Sequence, residues 1–150
     1  LVLSTLHTNS AIGAVTRLRD MGVEPFLLSS SLIGVLAQRL VRRLDPKTRE
    51  AYPARPDELA AFGLPTDGAV TLYRPQTGTP RAAGYRGRAG IYELVAVDDA
   101  VRALIHEGAA EAAIEAVVRP NCPSILADGW QKCLAGVTST DEVLRVVREE

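Results

Sequence analysis

An α/β fold with a helical C-terminal third is predicted by three features of the 150-residue sequence. "LVLSTL" (1–6) is an apolar, breaker-free run that passes within a few residues into helical periodicity. "GYRGRAGIYELVAV" (84–97) places Ile91, Tyr92, Leu94, Val95 and Val97 after turn-forming glycines, as a strand would. From residue 98 onward every segment reads as helix.

Each element follows from local chemistry. Residues 1–6 are apolar at successive positions, which predicts a strand covered on both faces, as in a parallel sheet. A lone βα piece cannot bury such a strand, so the chain is expected to lack a neighbour. Asn9 or Ser10 can cap a helix whose apolar face carries Ile12, Val15, Leu18 and Met21, and Gly22 suits its left-handed stop. Pro25 opens a second helix, expected to carry Phe26, Leu27, Ser30, Ile33, Gly34 and Ala37 through a core. "QRLVRRL" (38–44) suits a helix end or an exposed strand, and 84–97 can pair with 39–44 antiparallel. Residues 45–83 hold six of the nine prolines and mark an excursion from the main fold, with a short helix in "PDELAAFGLP". The remaining segments are helices at 98–108, 109–119, 124–136 and 139–150, the last with Ser139 and Glu142 spaced as a capping box. Trp130 is expected to anchor these helices beside Leu126, Leu134, Val143 and Leu144.

Composition narrows the function classes. An apolar fraction of 47% and a charged fraction of 23% describe a soluble globular chain. With a net charge of −1 and no aromatic–basic interleaving, nucleic-acid binding is not expected. Lysine occurs only at 47 and 132, and the other basic residues are all arginine, through codon bias or through use on anions. Cys122 and Cys133 make neither a disulfide framework nor a four-ligand metal set, and a reducing cytoplasm is the default. The most apolar stretch, "FLLSSSLIGVLAQRL" (26–40), is broken by serines and Gln38, so no membrane span is expected.

"LVLSTLHTNSA", "AVTRLRDMGVEPFLLSSSLIGVLAQRLVRRL", "GYRGRAGIYEL" and "DGWQKCLAGVTSTDEVLRV", in this order, resemble the C-terminal part of the traffic ATPases of type II secretion and type IV pilus assembly. The likeness runs from Leu1 to about Val147 and is poor through 45–83. It implies a partial RecA-like P-loop ATPase domain, made of late strands and helices, with an elaborated hairpin loop and a C-terminal helical bundle. The implied domains are 1–44 and 84–97 from the ATPase core, 45–83 in place of a zinc module, and 98–150 as a helical subdomain. ATP and Mg would be bound mainly by upstream residues, because the Walker A and B motifs lie before His7 in this family. Neither Lys47 nor Lys132 follows the glycine run of a Walker A loop.

The resemblance makes His7-Thr8-Asn9 the family's His box, with His7 as a catalytic sensor of the γ-phosphate; by itself a single His after a strand is most often a surface or satisfied structural histidine. An imidazole can donate to a phosphate oxygen or to the attacking water. The family usually has Asp after this triplet, where this chain has Ser10; the role of that carboxylate is lost here, while capping is not. Arg17 matches an arginine of the family and would contact nucleotide or an adjoining subunit, or else be solvated helix surface. Arg86 and Arg88, around Gly87, would serve an anion or an acidic partner, or a turn with a salt bridge. Zinc is not expected: the family's two Cys-x-x-Cys pairs correspond to "LDPKT" and "TGTPRAAG", and no Cys or His lies between 44 and 84. Tyr52, Leu59, Phe62, Leu64, Leu72 and Tyr73 must hold that loop instead. No Ser/His/acid set is visible, since nothing pairs with His106 by spacing. The expected whole is a homo-hexamer, cytoplasmic and held at the inner membrane by a secretion-platform protein. A non-catalytic interaction module, and a type IV pilus or DNA-uptake motor, are the alternatives.

Overall fold

The computed structural model describes residues 1–67, 69–78, 80 and 84–148. Part of the 45–83 excursion, including "RAA" at 81–83, therefore lies outside the described residues. The chain divides into two compact units: Leu1–Ala37 with Tyr92–Ser124, and Gln38–Ile91 with Ile125–Glu150.

The first unit is built on α1 (Ala11–Asp20), α2 (Pro25–Ser31), α4 (Asp99–His106) and α5 (Glu111–Val118). α2 packs on α4, α4 on α5 and α5 on α1. Ser10 is the N-cap of α1: its Oγ accepts from the Gly13 amide at 2.9 Å, and the helix stops at Gly22 in the left-handed region, φ 88°. Ile12 and Val15 are buried as expected, alongside Leu28, Val101, Ile105 and Ile114. Arg102 closes the α2–α4 contact by donating to the carbonyls of Ser29 and Val97.

Two expectations fail here. Residues 1–8 form no strand, and Leu1, Val2 and Leu3 are almost fully exposed. A strand needs a partner for its backbone groups, and the described residues offer this run none. The helix from Pro25 stops at Ser31, and β1 (Gly34–Leu44) follows, so Ile33, Gly34 and Ala37 are not helical and Phe26, Leu27 and Ile33 are exposed. Ser29, Ser30 and Ser31 each donate to a carbonyl three or four residues back, which favours ending the helix at this point.

β1 pairs with β4 (Tyr85–Ala96) in a two-stranded sheet. The Asp45 amide donates to the Gly84 carbonyl at one end and the Val97 amide to that of Ile33 at the other, so the pairing is antiparallel, as expected for 39–44 with 84–97. Both strands contribute residues to each unit.

The second unit contains a hairpin of β2 (Arg49–Pro53) and β3 (Thr71–Pro75), antiparallel with Tyr52 opposite Leu72. α3 (Pro56–Ala61) lies between these strands in sequence, as the short helix expected there. α6 (Ile125–Leu134) packs on α7 (Thr140–Arg148) and on β3. Val41, Leu59, Leu72, Ile91, Trp130 and Val143 form its core, with the Phe62 ring 4.9 Å from that of Trp130. The excursion thus has its own packed hairpin, held by several of the apolar residues expected to hold it. Four helices follow residue 98, with α4 and α5 in the first unit and α6 and α7 in the second.

Candidate functional site

His7, Thr8 and Asn9 lead into α1. His7 and Asn9 are exposed and Thr8 is half-buried, its hydroxyl donating to the Ser10 carbonyl at 3.1 Å. Ser10 Oγ also donates to Glu111 on α5 at 3.3 Å, so one hydroxyl caps α1 and ties it to a second helix. The first amide of α1, at Ala11, donates to Glu93 Oε1 on β4 at 3.3 Å, and Arg119 Nη2 reaches the same oxygen at 3.4 Å. Glu93 is only 2% exposed. Glu93 thus gives an acceptor to one of the amides that a helix N-terminus leaves without an intrahelical partner.

Arg17 lies exposed on the last turns of α1, and its guanidinium forms no ion pair with a described residue; Arg19 on the same helix donates to the Ala109 carbonyl at 2.7 Å. His7, Thr8, Asn9 and Arg17 thus share the first unit. Arg86 and Arg88 belong to the second unit, exposed on β4 around Gly87, whose φ of 75° is a conformation that a side chain rarely adopts.

Three carboxylates that motif spacing did not single out as site residues are buried. Glu93 falls on the inward side of β4, in the alternation Ile91, Glu93, Val95, and this placement is the signal that could have found it. Glu142, expected in a capping box, turns inward to Arg42 and Arg145. Burial pushes its carboxyl up, but the hydrogen bonds from Arg42 and Arg145 outweigh this and bring it down to about 2. The ring of Tyr85 lies under the Arg42 guanidinium, and its hydroxyl meets Ser139 Oγ at 2.7 Å. Glu58 accepts from the Tyr52 hydroxyl at 2.5 Å, from Thr140 at 2.9 Å and from the Arg55 amide at 3.0 Å. Burial raises its carboxyl, yet these donors prevail and it is lowered overall, while burial and Glu58 push the Tyr52 phenol up. Glu58 therefore links β2 and α3 to α7.

No three His, Cys, Asp or Glu side chains converge among the described residues. Cys122 and Cys133 are buried free thiols. His106 does have a partner that spacing missed, Ser29 Oγ at 3.3 Å, but that hydroxyl also donates to the Phe26 carbonyl and no described carboxylate orients the imidazole.

Residues 1–145 match the family model described as "Type II/IV secretion system protein". The chain belongs to this family. It is 55% identical over 151 residues to the type II secretion system ATPase E of Vibrio cholerae, covering 99% of this chain and 30% of that protein. It is 57% identical over 151 residues to the type II secretion system protein E of Pseudomonas aeruginosa, covering 100% of this chain and 30% of the relative. To the putative type II secretion system protein E of Escherichia coli it is 51% identical over 148 residues, covering 97% and 30%. The chain thus spans about 30% of the length of these relatives. No helix among the described residues is long and apolar enough to cross a membrane.

Proposed function

We propose that these residues are the C-terminal portion of a hexameric ATPase that powers type II protein secretion, coupling ATP hydrolysis to pseudopilus assembly. The observation that carries this reading is the 55% identity, over 99% of this chain, to a type II secretion system ATPase E about three times as long. In this reading 1–44 and 84–97 complete a RecA-like ATPase core, 45–83 stands where the family resemblance implies a zinc module, and 98–150 form a helical subdomain. The enzyme works as a homo-hexamer, docked through a platform protein at the inner membrane.

His7 contacts the γ-phosphate or the attacking water, where an imidazole can donate or accept a proton. Thr8, Asn9, Arg17, Arg86 and Arg88 contact nucleotide or a neighbouring subunit, the arginines supplying fixed positive charge. The described residues hold no carboxylate cluster fitting a magnesium ion, so no step here runs through one. A type IV pilus or DNA-uptake motor is the second reading, because the resemblance carried by blocks such as "GYRGRAGIYEL" extends to those motors.

The test is ATP hydrolysis by the full-length protein containing this chain, with and without His7→Ala. Loss of turnover with the hexamer intact is expected; unchanged turnover removes His7 from the mechanism. Residues 1–150 alone should show no turnover above blank, and clear turnover refutes the assignment of ATP binding to residues outside this chain.

A further inference from the structure

A charged residue on the inward face of a strand needs a reason. Ile91, Glu93, Val95 and Val97 are the buried positions of β4 and the residue after it, and an aliphatic side chain would fill position 93 at no desolvation cost. Glu93 instead directs one oxygen, Oε1, at the first amide of α1 and accepts Arg119 Nη2 on the same atom. Arg119, the C-terminal cap of α5, is held in turn by Glu115 one helical turn back, with Nε donating to Oε1 at 2.9 Å. A second tie runs parallel, from Ser10 Oγ to Glu111 on α5. The N-terminus of α1 is therefore pinned to β4 and α5 at Ser10 and Ala11. His7-Thr8-Asn9 is the segment that leaves this pinned point, and it has no regular structure of its own to set its direction.

From this geometry we infer that Glu93 is the positioning residue of the His7-Thr8-Asn9 segment. Its buried carboxylate sets where α1 begins and so where the segment before it points, and Arg119 neutralises the charge. Glu93 acts through α1 and touches no substrate. The inference rests on the reading of His7 as a residue of ATP hydrolysis.

The experiment uses the full-length protein with Glu93→Met and Glu93→Gln, with His7→Ala alongside, and ATP as substrate. Methionine keeps the volume but leaves the Ala11 amide without its acceptor and Arg119 with Glu115 alone, so the thermal midpoint is expected to fall, and turnover is compared at a temperature where both proteins are folded. Turnover should still fall, by about tenfold to a hundredfold as expected for a misplaced group, with KM for ATP within about twofold. Glu93→Gln keeps an amide oxygen for Ala11 and should lose less turnover than Glu93→Met. Amide hydrogen exchange at Ala11 and Ile12 should quicken in Glu93→Met while the amides of α4 keep their protection. A Glu93→Met protein with wild-type turnover overturns the inference while His7→Ala stays inactive. Wild-type turnover in His7→Ala overturns the underlying reading and the inference with it. If Glu93→Met does not fold, Glu93→Gln decides, and there a loss of turnover matched by an equal loss of stability would mean a structural role only.

Discussion

Protonating or removing Glu142 should release a defined part of the second unit's stability. Its side chain is fully buried and takes Arg42 Nη2 at 2.5 Å, the Arg42 amide at 3.2 Å and Arg145 Nη2 at 2.9 Å. The folded carboxyl sits at about 2 against an ordinary 4.5, so the folded state binds its proton later than the unfolded state. This stability is fully present above the unfolded value and is lost as pH falls from about 5 towards 2. At about 1.4 kcal/mol per unit, the contribution is about 3 kcal/mol at pH 7 and about 1 kcal/mol at pH 3. Glu142→Gln removes the titration, so its deficit against wild type should shrink between these pH values by about 2 kcal/mol. Glu58 titrates in both proteins and cancels in the difference. Trp130, the only tryptophan, is buried on α6 against α7 and reports the unfolding of this unit in urea by its fluorescence. An equal deficit at pH 7 and pH 3 would show that packing, not charge, is what Glu142 supplies.

Three further outcomes follow from the same coordinates. A Cβ built on Gly129 would lie 2.5 Å from Val143 Cγ1, so Gly129→Ala should cost about 1–3 kcal/mol, outweighing the helix-propensity gain of about 1 kcal/mol, and lower the thermal midpoint. A neutral or raised midpoint would mean that α6 and α7 are not packed this closely. The Cys133 thiol is 1% exposed and pushed up to about 12 by burial, so native alkylation at pH 8 should proceed only as fast as the unit opens; labelling as quick as in urea would contradict its burial. Metal analysis of the purified chain should find no stoichiometric zinc, and one zinc per chain would require ligands other than the four-cysteine set that is missing between 44 and 84.

Much of the fold was legible wherever neighbouring residues settle the matter. Ser10 caps α1, Gly22, Gly108 and Gly136 adopt the left-handed conformation at helix ends, and "IYELVAV" alternates as a strand because one face is buried. The pairing of 39–44 with the 84–97 run was legible too, since both are strand-like and the excursion between them returns the chain.

What remained hidden depended on partners distant in sequence. "SLIGVLAQRL" reads as the continuation of a buried helix, but an apolar run this short fits a strand as well, and pairing with β4 makes it one. "LVLSTL" reads as a strand but stays irregular and exposed, because the described chain holds no strand beside it. The β2–β3 hairpin joins segments separated by α3, whose weak individual patterns say nothing of each other. The candidate site divides in the same way. His7-Thr8-Asn9, Arg17, Arg86 and Arg88 are visible as motif letters, whereas Glu93, Glu58 and Glu142 are ordinary surface-type residues in sequence. Their meaning comes from Ala11 and Arg119, from Tyr52 and Thr140, and from Arg42 and Arg145. A buried carboxylate is tolerable only where donors converge on it, and apart from near neighbours such as Arg55 and Arg145, tertiary packing is what brings those donors there.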